Sequence, residues 1–426
     1  MDSPKKKHQE SLPSLQYTDS EYEAKPEGNA KALCTLAGGW LALFATFGYI
    51  SSFGVYQDLY VLSGTSSSSN ISWIGSVQIW CLTAIALPAG SLLDKGYFKH
   101  VVFFGTIIYL FSLFMLSLVH IDHYYQIFLS QGLGMGIGAG MIYTPAMAVQ
   151  AHHWKARRSL AMGLVITGSS VGGIVYPIML NNLFNSSVGF AQGVRASGYL
   201  TTGILVLANC LMSAKPRGDM TGRPKADVGA IIRDTPYMLV GVVGGFFVCW
   251  NLFFPYFYLQ LFTNLHNLSS TFAFYTLTIQ NGASIFGRTI PNLLADKFGM
   301  INTFIVIVFC TGISVFGLLW IDSVEGVTIF AIIYGFFSGG VLSLSAPTLA
   351  TFARSESEIG IRLGVSYFFN SFGFLTGPPI AGALLGSQIR WDRPVVFSGV
   401  MVLAGSIPFL LLGRMLQARR KETQIV

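Results

Sequence analysis

Arg288 is the residue in this chain whose type and setting speak most directly of chemistry. It stands in an otherwise apolar stretch, and on a helix of 3.6 residues per turn Gln280, Asn281, Ser284 and Arg288 share roughly 100° of arc. A charge near a bilayer centre costs on the order of 2.5 to 3.5 kcal/mol on insertion scales, so an ionisable group at that depth is first of all a functional hypothesis. A guanidinium offers a planar fork of N–H donors matched to a carboxylate. The expectation is therefore a small organic anion bound by Arg288, with Gln280, Asn281 and Ser284 beside it. The plainer alternative is an arginine that snorkels or ties down a neighbouring helix.

Other chemistry is sparse. A dense aromatic run, Phe246 to Tyr258, contains Asn251 and Tyr256, the two candidates there for contact with a cavity; the other rings are expected against lipid or neighbouring helices. No nucleotide-binding loop or hydrolase triad occurs, so neither an ATP-driven pump nor an enzyme is expected, and there are no catalytic residues. The five cysteines, Cys34, Cys81, Cys210, Cys249 and Cys310, have no metal-ligand spacing, so no metal, cofactor or disulfide framework is expected. None of the 19 acidic residues falls mid-span. Asp58 comes nearest, about 18 Å outward of the first span's centre, and the seven histidines fall in tails or loops. A chain with no titratable side chain at membrane depth is expected to act as a facilitator or exchanger, with any pH dependence set by its substrate or by groups such as Asp58.

The elements that must position these residues are membrane helices. Hydrophobic residues make up 52% of the 426 and charged residues 11%, more apolar surface than a soluble core could hide. Polar and turn-rich boundaries divide the chain into twelve apolar segments, each of about 19 to 27 residues and long enough to cross a bilayer as a helix. The domain plan is a disordered cytoplasmic tail (1–31), a six-helix half (32–214), a central cytoplasmic loop (215–235), a second six-helix half (236–413) and a cytoplasmic tail (414–426). With both termini inside, 22 of the 26 Lys and Arg fall on the cytoplasmic side, as the positive-inside rule asks. The net charge of +7 thus reports topology rather than nucleic-acid binding. The sequons at Asn70, Asn185 and Asn267 all fall in outside loops and are candidate glycosylation sites. The plasma membrane is the default location.

The halves repeat. Asp94 and Asp296, Gly138 and Gly340, Pro145 and Pro347, and Pro177 and Pro379 all share one offset of 202 positions. Parallel repeats of six spans are the build of many secondary transporters, which places function at the seam between the halves. The glycine ladders (Gly132 to Gly140, Gly168 with Gly172, Gly373 with Gly377) allow close helix approach, either for static packing or for bundles that rock. The fold class is all-α: twelve transmembrane helices in two pseudo-symmetric halves.

The loops Asp94-Lys95 and Asp296-Lys297 resemble the short cytoplasmic signature of the major facilitator superfamily. Pro26-Glu27-Gly28, the run Trp154 to Gly163 continuing to Gly168-Ser169, and Phe286 to Asn292 resemble motifs of its monocarboxylate transporter family, especially the fungal branch. That resemblance implies proton-linked or facilitated movement of small organic acids by alternating access. It aligns Arg288 with the arginine that pairs with the substrate carboxylate, Ser343 with a helix 10 serine of the substrate cavity, and Asp94, Lys95, Asp296 and Lys297 with conformational gating. Animal members carry an aspartate where this chain has Ser284 and a lysine where it has Ser51, which puts proton coupling in question here. The expected partners are the bilayer and a small-molecule carboxylate, and no nucleic acid. Two alternatives differ in kind: a carrier of a larger metabolite such as riboflavin, and a non-transporting nutrient sensor.

Overall fold

The computed structural model describes residues 28–154, 158–214, 228–266, 268–353, 356–386 and 388–424. Twelve long helices carry them: helix 1 Ala30–Leu62, helix 2 Ser68–Leu93, helix 3 Phe98–Leu116, helix 4 Tyr124–His153, helix 5 Ala161–Phe184 and helix 6 Gly189–Leu211 in the first half. The second half has helix 7 Thr235–Leu265, helix 8 Ser270–Phe298, helix 9 Met300–Trp320, helix 10 Val324–Ala350, helix 11 Glu356–Leu385 and helix 12 Asp392–Gly413. Ten are long and apolar enough to cross a membrane. Helices 8 and 11 are as long but more polar, and both lie at the seam, helix 8 against helix 5 and helix 11 against helix 2. Gln280, Asn281, Ser284 and Arg288 of helix 8 and Ser366, Asn370 and Ser371 of helix 11 are buried.

Helices 1 and 7 are interrupted at matching places, near Ser51 and near Phe253, 202 residues apart. The causes differ. In helix 7, Pro255 has no N–H to give, and its ring would clash with the Asn251 carbonyl of a regular helix. In helix 1 the hydroxyls of Thr46, Ser51 and Ser52 donate to the carbonyls of Ala42, Phe47 and Tyr49, a back-bonding that bends helices.

The glycine ladders serve packing inside each half. A Cβ added at Gly168 or Gly172 of helix 5 would stand 2.3 or 2.4 Å from the Trp40 or Phe44 carbonyl oxygen of helix 1. Gly138 meets Tyr109 of helix 3, and Gly377 of helix 11 meets Trp250 of helix 7. The glycines that let the halves touch are others. Gly54 lies against the Tyr256 carbonyl, Gly75 against Phe53 and Phe257, and Gly173 against the Asn281 side chain.

Several boundaries differ from those read in the sequence. The central loop holds a short helix, Val228–Ile232, and helix 12 runs on to Gln424 in place of a tail from 414. The helical backbone of helix 2 runs one residue past Leu93 to Asp94, and Asp296 lies in the last turn of helix 8 rather than in a loop, because each helix continues until a glycine at positive φ, Gly96 (89°) or Gly299 (88°), turns the chain. Their side chains fall outside the described residues; Lys95 and Lys297 are exposed. His153 is buried at the end of helix 4, its Nε2 2.6 Å from the Ser213 carbonyl, and not in an open loop. Asn70 sits in the first turn of helix 2 and Asn185 just past helix 5, both exposed, while Asn267 lies outside the described residues.

Candidate functional site

Arg288 is only 3% exposed. Helix 8 projects it across the seam onto helix 5, where its Nη1 donates to the Ile166 carbonyl at 2.7 Å and to Ser169 Oγ at 2.5 Å. Its Nε donates to Ser284 Oγ, one turn away, at 3.2 Å. Among the described residues no carboxylate pairs with it, and its Nη2 edge makes no hydrogen bond to them. The guanidinium carbon lies 5.9 Å from the centre of the Phe47 ring, within cation–π range. From Phe47 a chain of rings crosses the seam: Tyr143 of helix 4 at 5.7 Å, Phe253 of helix 7 at 6.4 Å, then Tyr256 at 5.4 Å and Phe374 of helix 11 at 5.2 Å from Phe253. A buried cation with one edge unbonded among the described residues, one aromatic face beside it and a chain of rings from four helices leading away, suits a flat anionic group.

The halves are stitched together at the end of the bundle away from the chain termini, here the distal end. Asp58 Oδ2 accepts from Gln260 Nε2 at 3.0 Å and from Asn264 Nδ2 at 2.7 Å. Gln260 also donates to Asn181 Oδ1 at 2.9 Å, Ser69 Oγ donates to the Pro379 carbonyl at 2.9 Å, and the Ser72 and Tyr258 hydroxyls are hydrogen-bonded to each other. At the terminal end the bonds between described residues stay within one half. Thr35 meets Ser213 in the first, and Arg362 pairs with Asp234 at 2.8 Å and Glu358 at 3.1 Å in the second. Across the seam there, Leu87 of helix 2 makes an apolar contact with Gly364 of helix 11. The protein is therefore held closed at its distal end.

Two repeated six-helix halves, a seam closed at one end and a candidate binding residue inside it form the frame of an alternating-access carrier. The sequence profile of the major facilitator superfamily matches residues 35–356. The chain belongs to this superfamily. It is similar to an aspyridones efflux protein of Emericella nidulans (35% identical, covering 91% of this chain and 78% of the relative). An agnestins efflux protein of Paecilomyces divaricatus (35% identical, 94% and 92%) and an MFS-type transporter of Penicillium oxalicum (35% identical, 90% and 90%) are also similar. It is a membrane transporter of the major facilitator type.

Within the superfamily frame the sequence-derived site residues lie in different places. Arg288, Ser284 and Asn281 meet at the seam, with Asn281 against Gly173 of helix 5 and Ser284 Oγ 3.4 Å from Ser170 Oγ. Gln280, next to them, packs against Gly335 of helix 10, and its amide has no hydrogen-bond partner. Tyr256 joins the aromatic chain, its hydroxyl 3.2 Å from Ser338 Oγ of helix 10.

Asn251 does not reach the seam. Its Oδ1 accepts from Ser398 of helix 12 at 3.0 Å, because the break after it turns it into the second half. Ser343 is held by Asn292 at 3.1 Å, nearer the terminal end than Arg288. Arg362, counted with the loops, is buried in helix 11 by its two carboxylates and the Tyr237 ring, 4.8 Å away.

Sequence reasoning missed Phe47, Tyr143 and Phe374, which no spacing singles out among 34 Phe and 18 Tyr. It also missed Gln78, for which a signal did exist. Gln78 stands 202 residues before Gln280, is equally buried, and its amide is equally without a partner.

Proposed function

We propose that this transporter exports a small aromatic or conjugated organic anion by alternating access. The observation that carries the proposal is the buried Arg288 guanidinium, which among the described residues has no paired carboxylate and no bond to Nη2, set beside Phe47 at the head of the Phe47–Tyr143–Phe253–Phe374 chain of rings. A carboxylate or similar anion on Nη2 would compensate the buried charge, and the rings would stack a planar body. The resemblance to monocarboxylate carriers supports a carboxylate as the anionic group, whereas the ring wall favours a body larger than that of lactate or pyruvate. The names of two relatives, efflux proteins for aspyridones and agnestins, support outward transport. The charge distribution supports cytoplasmic termini, and the plasma membrane is the matching location.

The test is counterflow into liposomes carrying the purified protein, with labelled salicylate, pyruvate and riboflavin compared at about pH 8, where both acids are ionised. Salicylate should exchange fastest, pyruvate more slowly, and uncharged riboflavin not at all. Phe47→Leu should slow salicylate more than pyruvate. Equal exchange of pyruvate and salicylate would remove the aromatic part of the proposal, and exchange of riboflavin alone would remove the anion.

A further inference from the structure

The distal seam closes on one carboxylate, and its surroundings do not suit a charge. Asp58 is 6% exposed. Both of its donors, the amides of Gln260 and Asn264, point at Oδ2, and Oδ1 has no hydrogen-bond partner. An ionised carboxylate has two equivalent charged oxygens that together accept about four bonds, so this arrangement would leave one of them without a protein donor in a buried seam. A protonated acid has one carbonyl oxygen and one hydroxyl; two donors on the carbonyl oxygen match that form, and a neutral hydroxyl left without a partner at Oδ1 costs less than a bare charge there.

Among the described residues no cation compensates. Helix 7 brings the amides of Gln260 and Asn264; beyond them His266 turns its Nδ1 to the Phe262 carbonyl, and the Tyr258 hydroxyl meets Ser72. Helix 5 brings Asn181, and its Tyr176 bonds Thr201. On helix 1 the hydroxyls of Tyr56 and Tyr60 bond Tyr49 and Gln131. The adjoining turns of helix 2 carry Ser68, Ser69, Asn70 and Ser72. Among the described residues no ion pair reaches Asp58.

We infer that Asp58 is a proton-binding site whose occupancy is coupled to the distal seam. When the seam opens, water hydrates the carboxylate and it gives up its proton to that water; when the seam closes, one proton passes from distal water to Asp58 and is buried with it. Each opening and closing therefore releases and takes up one proton at this site, independently of what Arg288 holds. The sign follows. Because the closed seam takes the neutral form, acid favours distal closure and alkali favours distal opening.

The seam can be read without a known substrate. Ser72 is fully buried at the closed seam. In a Ser72→Cys reporter, a membrane-impermeant maleimide applied to the distal face, which charge places outside, labels only when the seam opens. The ratio of labelling rates with Asp58 present to those with Asp58→Asn cancels the thiol's own titration. It should rise as pH is raised from about 5 to about 8, by about tenfold or more, a tenfold rise being equivalent to ~1.4 kcal/mol. A flat ratio, or one that falls as pH rises, would overturn the inference. Infrared spectroscopy of the otherwise unaltered protein at neutral pH decides the case even if Asp58→Asn fails to assemble. A carboxylic-acid C=O band assignable to aspartate supports a buried proton, and its absence refutes it.

Discussion

The two ends of the bundle use polar groups in opposite ways. At the distal end Asp58, Gln260, Asn264, Asn181 and the Ser72–Tyr258 pair join one half to the other. At the terminal end Arg362, Asp234 and Glu358, like Thr35 with Ser213, join each half to itself. The distal bonds are mostly neutral hydrogen bonds, individually worth about 0.5 to 1.5 kcal/mol net, whereas the Arg362 cluster is charge-assisted and stronger. Bonds that must break in each cycle are weak and bonds that must persist are strong. Arg288 lies between, reaching across the seam to a backbone carbonyl and a serine rather than to a carboxylate. Such a contact can be exchanged for a ligand without stranding a buried anion.

This contrast can be broken or sharpened by substitution. Gly168→Leu strikes a contact inside a half, where even a Cβ would lie 2.3 Å from the Trp40 carbonyl, and should cost more than ~3 kcal/mol, seen as loss of monodisperse protein after extraction. Arg288→Ala should leave the protein assembled but lower salicylate counterflow about 30-fold or more, and Arg288→Lys should recover only part of that, because an ammonium lacks the fork. Gly54→Ala strikes the seam, 2.6 Å from the Tyr256 carbonyl. It should hold the distal end ajar, raising Ser72→Cys labelling and slowing counterflow several-fold, with thermal stability little changed. Asn251→Ala, confined to the contact with Ser398, should cost about 1 kcal/mol in stability and leave counterflow as it was. A large transport defect in that last variant would show that the break in helix 7 transmits more than the static packing implies.

Much of the frame was legible in the chain. Apolar segments long enough to span a bilayer, the 202-residue offset and the lone arginine on a polar helix face each follow from local composition and spacing, which the bilayer enforces strongly. The offset even predicts pairs that were not sought, since Asp58 and its distal partner Gln260 are 202 residues apart, as are the unpartnered amides of Gln78 and Gln280. Periodicity could not say which glycines face the seam and which face inward, because both kinds obey the same helical spacing.

By itself, then, the sequence determined the twelve helices, their repeat and the presence of a buried positive charge, because each depends on the cost of polar or charged groups in hydrocarbon and that cost acts residue by residue. Only the tertiary structure decided that Asn251 turns away from the seam, that Phe47 lies beside Arg288 at the head of a chain of rings reaching Tyr143 and Phe374, and that Asp58, which lies near the end of its helix, is nonetheless buried. Those outcomes depend on how helices distant in the chain meet, within a half as well as between the halves, and the contacts join residues many helical turns apart, beyond the reach of any local pattern.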